Sequence, residues 1–434
     1  MIINWTTEQI LTLAPDASSA KSGKDLATLR KWQELGTNEE AIWGKYQGSG
    51  SQPYQTQIDL LETAFKCNCP SHKFPCKHGL GLFLLRLNQP DAFTQNQPPD
   101  WVHDWIDSRR QKQAKKGESS KVTDLAAQAK RAAKREEKVT AGVQELDLWL
   151  RDLVRQGLAV LPGQDYTFWD TKAARMVDAQ APGLARQLQE MSGIPHSGAG
   201  WQERFLERLG RLYLLLEGFQ RLETLPSATQ ADIRTAIGWT QKEEFTPSSK
   251  VRDRWRILGQ RVEQQDQLRT QRTWLQGQQT QKSALVLNYA YGNQPLDNSL
   301  IPGTVIDAEL GFFESAYPLR SLIEARHAPP LPLLEMPGAE AIATALAQYT
   351  KAIACQPWLD QFPLTLQTVI PQRYKNGWAL RDSTNHLLPL TPSFAKGWQL
   401  LALSGGHPIN VFGEWHGDRF LPLSTLAENK FLAF

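Results

Sequence analysis

Three of the chain's four cysteines fall in the stretch KCNCPSHKFPCKHGLG, and a histidine follows two residues after the last of them. Cys67, Cys69, Cys76 and His78 are spaced C-x-C-x6-C-x-H. So dense a set of thiols beside an imidazole fits a shared metal better than a disulfide scaffold, which would spread its cysteines through a short secreted chain. Soft sulfur ligands favour zinc (Zn2+) over magnesium or calcium, and structural zinc takes four thiolate or imidazole ligands in a tetrahedron. Residues two apart on a strand point to one side, so Cys67 and Cys69 can reach one ion. Cys76 and His78 then lie at the turn into a following helix. Pro70 and Pro75 stiffen the loop, and Gly79 and Gly81 let the helix start pack closely. His72, inside the loop, is read as exposed rather than as a ligand. Catalytic zinc keeps a position open for water, whereas four protein ligands close the site, so the expected role is structural.

At 434 residues the chain exceeds one ordinary domain, and 41% hydrophobic with 21% charged residues suits packed cores. The fold class expected is α+β and multidomain. Residues 1–90 hold the metal cluster, with a core over about 40–88. Helices are expected at TTEQILTLAPD and KDLATLRKWQEL. AIWGKYQGSGSQPYQTQIDLLETAFKC reads as a strand, a Gly/Ser turn and a strand. Within it Tyr54, Thr56, Ile58 and Leu60 alternate with Gln55, Gln57 and Asp59, the period of a half-buried strand. GLGLFLLRL reads as a compact buried helix. Residues 91–140 read as a basic linker and helix: a loose turn in NQPDAFTQNQPPD, a solvated stretch in RRQKQAKKGESSK, then a long helix capped by Thr123. Residues 141–245 read as helical, since Val143, Leu146, Leu150 and Leu153, then Phe205, Leu209, Leu212 and Leu216, recur at helical spacing; Ser227 opens another helix. Residues 246–434 read as β-rich, one small barrel or sandwich with a helix at GAEAIATALAQYTKAIA.

Net charge is +3 overall, yet between Arg109 and Lys138 eleven Lys and Arg meet four Asp and Glu. Lys130, Lys134 and Lys138, with Arg131 and Arg135, form a basic stripe on one helix. It suits an anionic partner such as DNA or RNA, set against the usual meaning of a charge run, a solvated face. Lys66, Lys73 and Lys77 flank the ligands and either contact phosphates or offset the thiolate charge. Trp43, Tyr46 and Tyr54 are read as a small hairpin core rather than a base-stacking surface. Cys355 is read as a small buried hydrophobe, Trp415 and His416 as a hairpin turn, and His407 as a turn residue. The N-terminus shows no basic and apolar leader, and no run of about 18 apolar residues occurs, so no membrane span and a cytoplasmic location are expected.

The C-x-C-x(n)-C-x-H pattern, preceded by a hairpin and followed by an apolar helix, resembles the SWIM zinc finger. The likeness covers WGKYQGSGSQPYQTQIDL upstream, which resembles the hairpin that precedes the finger in bacterial SWIM proteins, and CPSHKFPCKHGLGL in the core. It implies a zinc-stapled ββα module ahead of the central helical and C-terminal β-rich regions. It also implies binding of DNA or protein. Modules of this type occur beside helicase-like remodelling ATPases, transposases and ubiquitin-linked signalling proteins, and in bacteria beside AAA-type ATPases and von Willebrand A domain proteins. No GxxxxGK[ST], HExxH or GxSxG motif occurs, nor the deaminase His-x-Glu signature. The expectation is an interaction module for nucleic acid or protein, without catalysis; the alternative is a scaffold subunit for an AAA-type ATPase or von Willebrand A domain partner. Lys73, Lys77, Lys130, Arg131, Lys134, Arg135 and Lys138 are the expected nucleic-acid contacts.

Overall fold

A computed structural model of the protein describes residues 5–118, 125–239, 249–292, 294–428 and 430–434, with the backbone alone over the described part of 112–132. The metal cluster belongs to an N-terminal unit built on a sheet. Its elements are α1 (Thr7–Thr12), α2 (Ala17–Leu26), β1 (Trp32–Thr37), β2 (Ala41–Tyr46), β3 (Tyr54–Asp59), β4 (Ala64–Cys67), α3 (Lys77–Asn88), β5 (Thr94–Gln95) and α4 (Asp100–Glu118). The sheet order is β4-β3-β2-β1-β5. β1 to β4 run antiparallel to their neighbours, and β5 lies parallel to β1. The expected hairpin is β2–β3, but its second strand ends at Asp59 and the chain turns into a separate β4, antiparallel to β3; the expected apolar helix is α3, whose Leu80, Leu82, Phe83, Leu84 and Leu85 are buried.

Three local readings change. KDLATLRKWQEL is not one helix: α2 stops at Leu26 and Trp32 opens β1. Trp32 pairs with Tyr46, meets its ring edge-on at 5.1 Å and donates its indole N–H to the Leu26 carbonyl at 2.9 Å, so sheet pairing overrides local helix preference. β3 is not half-buried, because Gln57 and Asp59 are buried as well. The cause lies downstream, where the chain read as a loose turn and solvated stretch supplies β5 and α4. Val102 and Ile106 of α4 pack on Ala41 and Trp43, covering the second face of the sheet. Arg109 reaches Asp59 at 3.4 Å and Glu62 at 2.5 Å, and Arg110 reaches Glu40 at 2.8 Å, so the first two cations of the basic run hold the helix to the sheet.

The central region is helical as expected: α5 (Leu125–Gln156), α6 (Tyr166–Asp178), α7 (Pro182–Ser192), α8 (Trp201–Gln220) and α9 (Ser227–Ala236). Its core includes the predicted rows from Val143 to Leu153 and from Phe205 to Leu216, gathered round Trp169. Thr123, the expected cap of α5, lies outside the described residues.

The C-terminal region holds two β units. The first comprises β6 (Ser249–Gln265), β7 (Leu268–Gly277), β8 (Ser283–Tyr291), β9 (Thr304–Phe312), β10 (Arg320–Arg326) and β11 (Leu331–Pro332). β6, β7 and β8 form a meander; β8 pairs in parallel with β10, β10 with β9, and β9 back with β6. Five strands therefore close into a barrel, filled by Trp255, Ile257, Leu275, Ile306 and Phe312 among others, with β11 added beside β9. Then follow α10 (Ile342–Cys355), β12 (Phe362–Tyr374), β13 (Gly377–Arg381), β14 (Leu387–Pro389), α11 (Gly397–Ser404), β15 (Ile409–Trp415), β16 (Phe420–Ala427) and β17 (Lys430–Ala433). The second sheet runs β14-β13-β12-β15-β16-β17. Trp415 and His416 do sit at the hairpin turn between β15 and β16. Cys355, expected to be buried, is exposed at the end of α10.

The units dock through specific contacts. Glu414 of β15, fully buried, accepts from Arg272 (3.1 and 3.2 Å) and from the Trp274 indole (2.8 Å) on the barrel. Arg326 of the barrel donates to the Leu61 carbonyl of the N-terminal unit at 3.4 Å, and Gln9 donates to the Gly303 carbonyl at 2.8 Å. Arg211 of α8 donates to the carbonyls of Pro357 (2.9 Å) and Leu359 (2.7 Å). Among the described residues no helix is long and apolar enough to cross a membrane.

Candidate metal centre

The four ligands come from three successive pieces of chain. β4 ends on Cys67, Cys69 follows in the loop, Cys76 is the N-cap residue of α3, and His78 lies in its first turn. The exit from β4 is fixed by Asn68, whose side chain accepts from the Gln55 N–H at 2.9 Å and whose N–H donates to the Gln55 carbonyl at 3.2 Å. The start of α3 can approach the sheet because Gly79 has no side chain: a Cβ there would lie 2.9 Å from Phe65. Two residues on, a Cβ on Gly81 would meet that of Leu26 at 2.8 Å, so α2 and α3 cross in near backbone contact.

The thiol sulfurs and a ring nitrogen of His78 all lie within 4.8 Å of one another. Zinc bonds of about 2.0–2.3 Å bring tetrahedral ligands within about 4 Å of each other, so this set closes on one ion with small adjustment. Cys76 and His78 are buried, whereas Cys67 and Cys69 are half-buried. The protons do not divide evenly. The hydrogen bond from Cys67 holds the Cys76 thiol down at about 4, and the same contact, with burial, drives Cys67 well above the usual thiol range. Neighbouring thiolates repel in a buried site; a dication removes that conflict. Around the ligands, Thr56 Oγ1 lies 3.2 Å from Cys67 Sγ, and His78 is held between the rings of Tyr46 (4.8 Å) and Tyr54 (5.1 Å). These supports come from β2 and β3, remote in sequence from the cluster, and the sequence reading missed their role.

Residues 54–87 match the SWIM zinc finger family, over the strand, loop and helix just described. The chain carries a SWIM zinc finger. Residues 134–237, read from sequence as helices without a signature, match the SWIM-associated four-helix bundle domain, so finger and bundle occur together here. No curated protein and no solved structure matches the chain. The finger of this protein is thus a zinc-binding module, and Cys67, Cys69, Cys76 and His78 lie close enough together to hold the ion. It is also larger than a ββα unit, since the matched strands β3 and β4 form one edge of a five-stranded sheet.

The expected nucleic-acid residues separate into groups. Lys77 is exposed at the start of α3, as is Lys66 on β4. Lys73 is exposed but bonded to Asp16 at 2.8 Å, a contact that holds the Asp16 carboxyl down at about 2. His72 is exposed outside the ligand set. On α5, Lys134 and Lys138 are exposed. Arg135 leaves the stripe: it lies over the Trp239 ring at 5.2 Å and donates to the Gly238 carbonyl at 3.2 Å, stapling α5 to the end of the bundle. The side chains of Lys130 and Arg131 lie outside the described residues. Trp43 and Tyr46 are buried and Tyr54 is half-buried against His78, a packing role as expected.

Proposed function

We propose that this protein is a non-catalytic recognition protein whose zinc finger binds nucleic acid, aided by the exposed lysines of α5. The observation that carries the reading is the metal loop itself. Phe74 there is 53% exposed, and the loop with its two flanks brings three lysines, Lys66, Lys73 and Lys77, all exposed. An exposed ring can stack on a base and lysines can meet phosphates, a combination that suits a flexible anionic strand better than a neutral protein surface. Zinc closes the loop and so fixes these groups before the ligand arrives. The test is fluorescence anisotropy of the full chain with labelled single-stranded DNA, duplex DNA and RNA across a salt series. Affinity should fall steeply with salt and drop about tenfold or more in a Lys66→Glu, Lys77→Glu double variant. A weaker loss is expected from Lys134→Glu with Lys138→Glu. Binding that ignores both salt and these substitutions would sink the reading.

A second reading is favoured by the bundle surface. Tyr166, Val177, Leu148 and Leu206 stand more than half exposed there, and exposed apolar side chains on a helical domain suit a protein partner. In that case the chain is an adaptor for another protein, such as an AAA-type ATPase or a von Willebrand A domain protein. Its complex should survive nuclease treatment and dissolve on Leu148→Glu or Leu206→Glu.

A further inference from the structure

The barrel has the connectivity of small Greek-key barrels: a three-strand meander, with the fifth strand (β10) inserted between the third (β8) and the fourth (β9). Barrels of this type take ligands on the outer face of strands two and three, beside the loop that joins strands four and five. Here those strands are β7 and β8, and that loop is residues 313–319. The second sheet covers the middle of this face, where Glu414 clamps Arg272 and Trp274. At one end a cleft of about 630 Å³ remains between barrel and sheet, within the range that encloses a small molecule.

The lining of this cleft has a definite chemistry. Tyr317, from the loop between β9 and β10, and Phe362 of β12 offer aromatic surface, with centroids 6.0 Å apart. Gln276 and Gln348 offer amides, and Lys282 with Ser283 stands at the rim. Among the buried polar side chains with unspent hydrogen-bonding capacity, Gln276 lines the cleft and Arg256, its cross-strand partner, lies outside the lining. Gln276 Oε1 is buried and accepts nothing. Arg256, paired across the strands with Gln276, is 4% exposed. Only its Nη2 is used, in a bond to Glu335 at 2.8 Å, while Nε and Nη1 donate to no group. Buried polar atoms are seldom left so. Among the described residues Lys282 forms no ion pair; its ammonium rests over the Phe312 ring at 5.9 Å.

We infer that this cleft binds a nucleotide, with the base against Tyr317 and Phe362, its polar edge read by Gln276 and Gln348, and the phosphate drawn by Lys282 at the rim. A neutral sugar would leave the Lys282 ammonium unused, and a long strand would collide with the second sheet where Glu414 docks. A single nucleotide, free or at the end of a strand, meets both limits. The cleft is separate from the finger and does not rest on the finger's binding nucleic acid.

Calorimetric titration of the full chain with adenosine and cytidine 5′-monophosphates, with adenosine, and with a 5′-phosphorylated oligothymidylate tests this. Saturable mononucleotide binding is expected, weaker by about tenfold in Lys282→Ala and in Gln276→Leu and weaker for adenosine, which lacks the phosphate. Lys282 is exposed, so its variant keeps the fold; circular dichroism checks both. Competition by the oligomer assigns the site to a strand terminus, and its absence assigns it to free nucleotides; both uphold the cleft. The Lys66→Glu, Lys77→Glu variant should bind mononucleotides as the parent does, which separates this result from the fate of the finger reading. Absence of saturable binding by every nucleotide probe, or binding unchanged in both cleft variants, overturns the inference.

Discussion

Cys76 does two things at one position: it opens α3 as the N-cap residue and presents the most acidic thiol of the cluster to the ion. The spacing of the ligands is local, so all four could be read from the sequence. Their supports could not, because Thr56, Tyr46 and Tyr54 reach the site only once β2 and β3 are laid beside β4. Thr56 lies within hydrogen-bonding reach of Cys67, and its loss should loosen the ligand without opening the site. Thr56→Val is expected to weaken zinc about tenfold, measured by competition with a chromogenic chelator, with one ion still bound per chain at saturation. Cys355 shows the opposite case. A lone cysteine has no local signal for burial, and helix α10 leaves it exposed at its end.

Among the elements, those with a strong period were legible and those fixed by remote partners were not. The rows on α5 and α8 announce helices because their apolar residues recur at one spacing. β1 carries no such row and owes its state to pairing with β2 and β5. α4 was hidden for another reason: its charged residues look solvated until Asp59, Glu62 and Glu40 are brought opposite Arg109 and Arg110. The apolar side of that helix is what seals the sheet. Ile106→Ala should destabilise the N-terminal unit by about 2–5 kcal/mol, read by chemical denaturation. It should also raise amide exchange along β3, where Gln57 and Asp59 would regain solvent. Unchanged exchange in β3 would mean that α4 does not cover it in solution.

At the scale of the whole molecule, finger, bundle and two β units meet through polar contacts as much as through shared cores. One of them is titratable. Asp232 of α9 accepts from the Ala316 N–H at 2.9 Å and from Gln356 at 3.0 Å, and burial pushes its carboxyl up to about 6. The folded chain therefore holds this proton more tightly than the unfolded chain. Its stabilising contribution is full below the ordinary carboxylate range and is lost as pH rises through about 6. Melting temperatures of the parent, compared with Asp232→Asn, should fall relative to the variant between about pH 4 and 6 and level off above; a constant difference would contradict the assignment. The central claim remains the zinc-stapled finger, to which the N-terminal sheet, α2 and α3 are fitted. Metal analysis of the full chain, paired with circular dichroism before and after chelation, tests it most directly. About one zinc per chain is expected, lost in Cys76→Ser together with the fold of the N-terminal unit. A metal-free parent protein with that unit intact would contradict it.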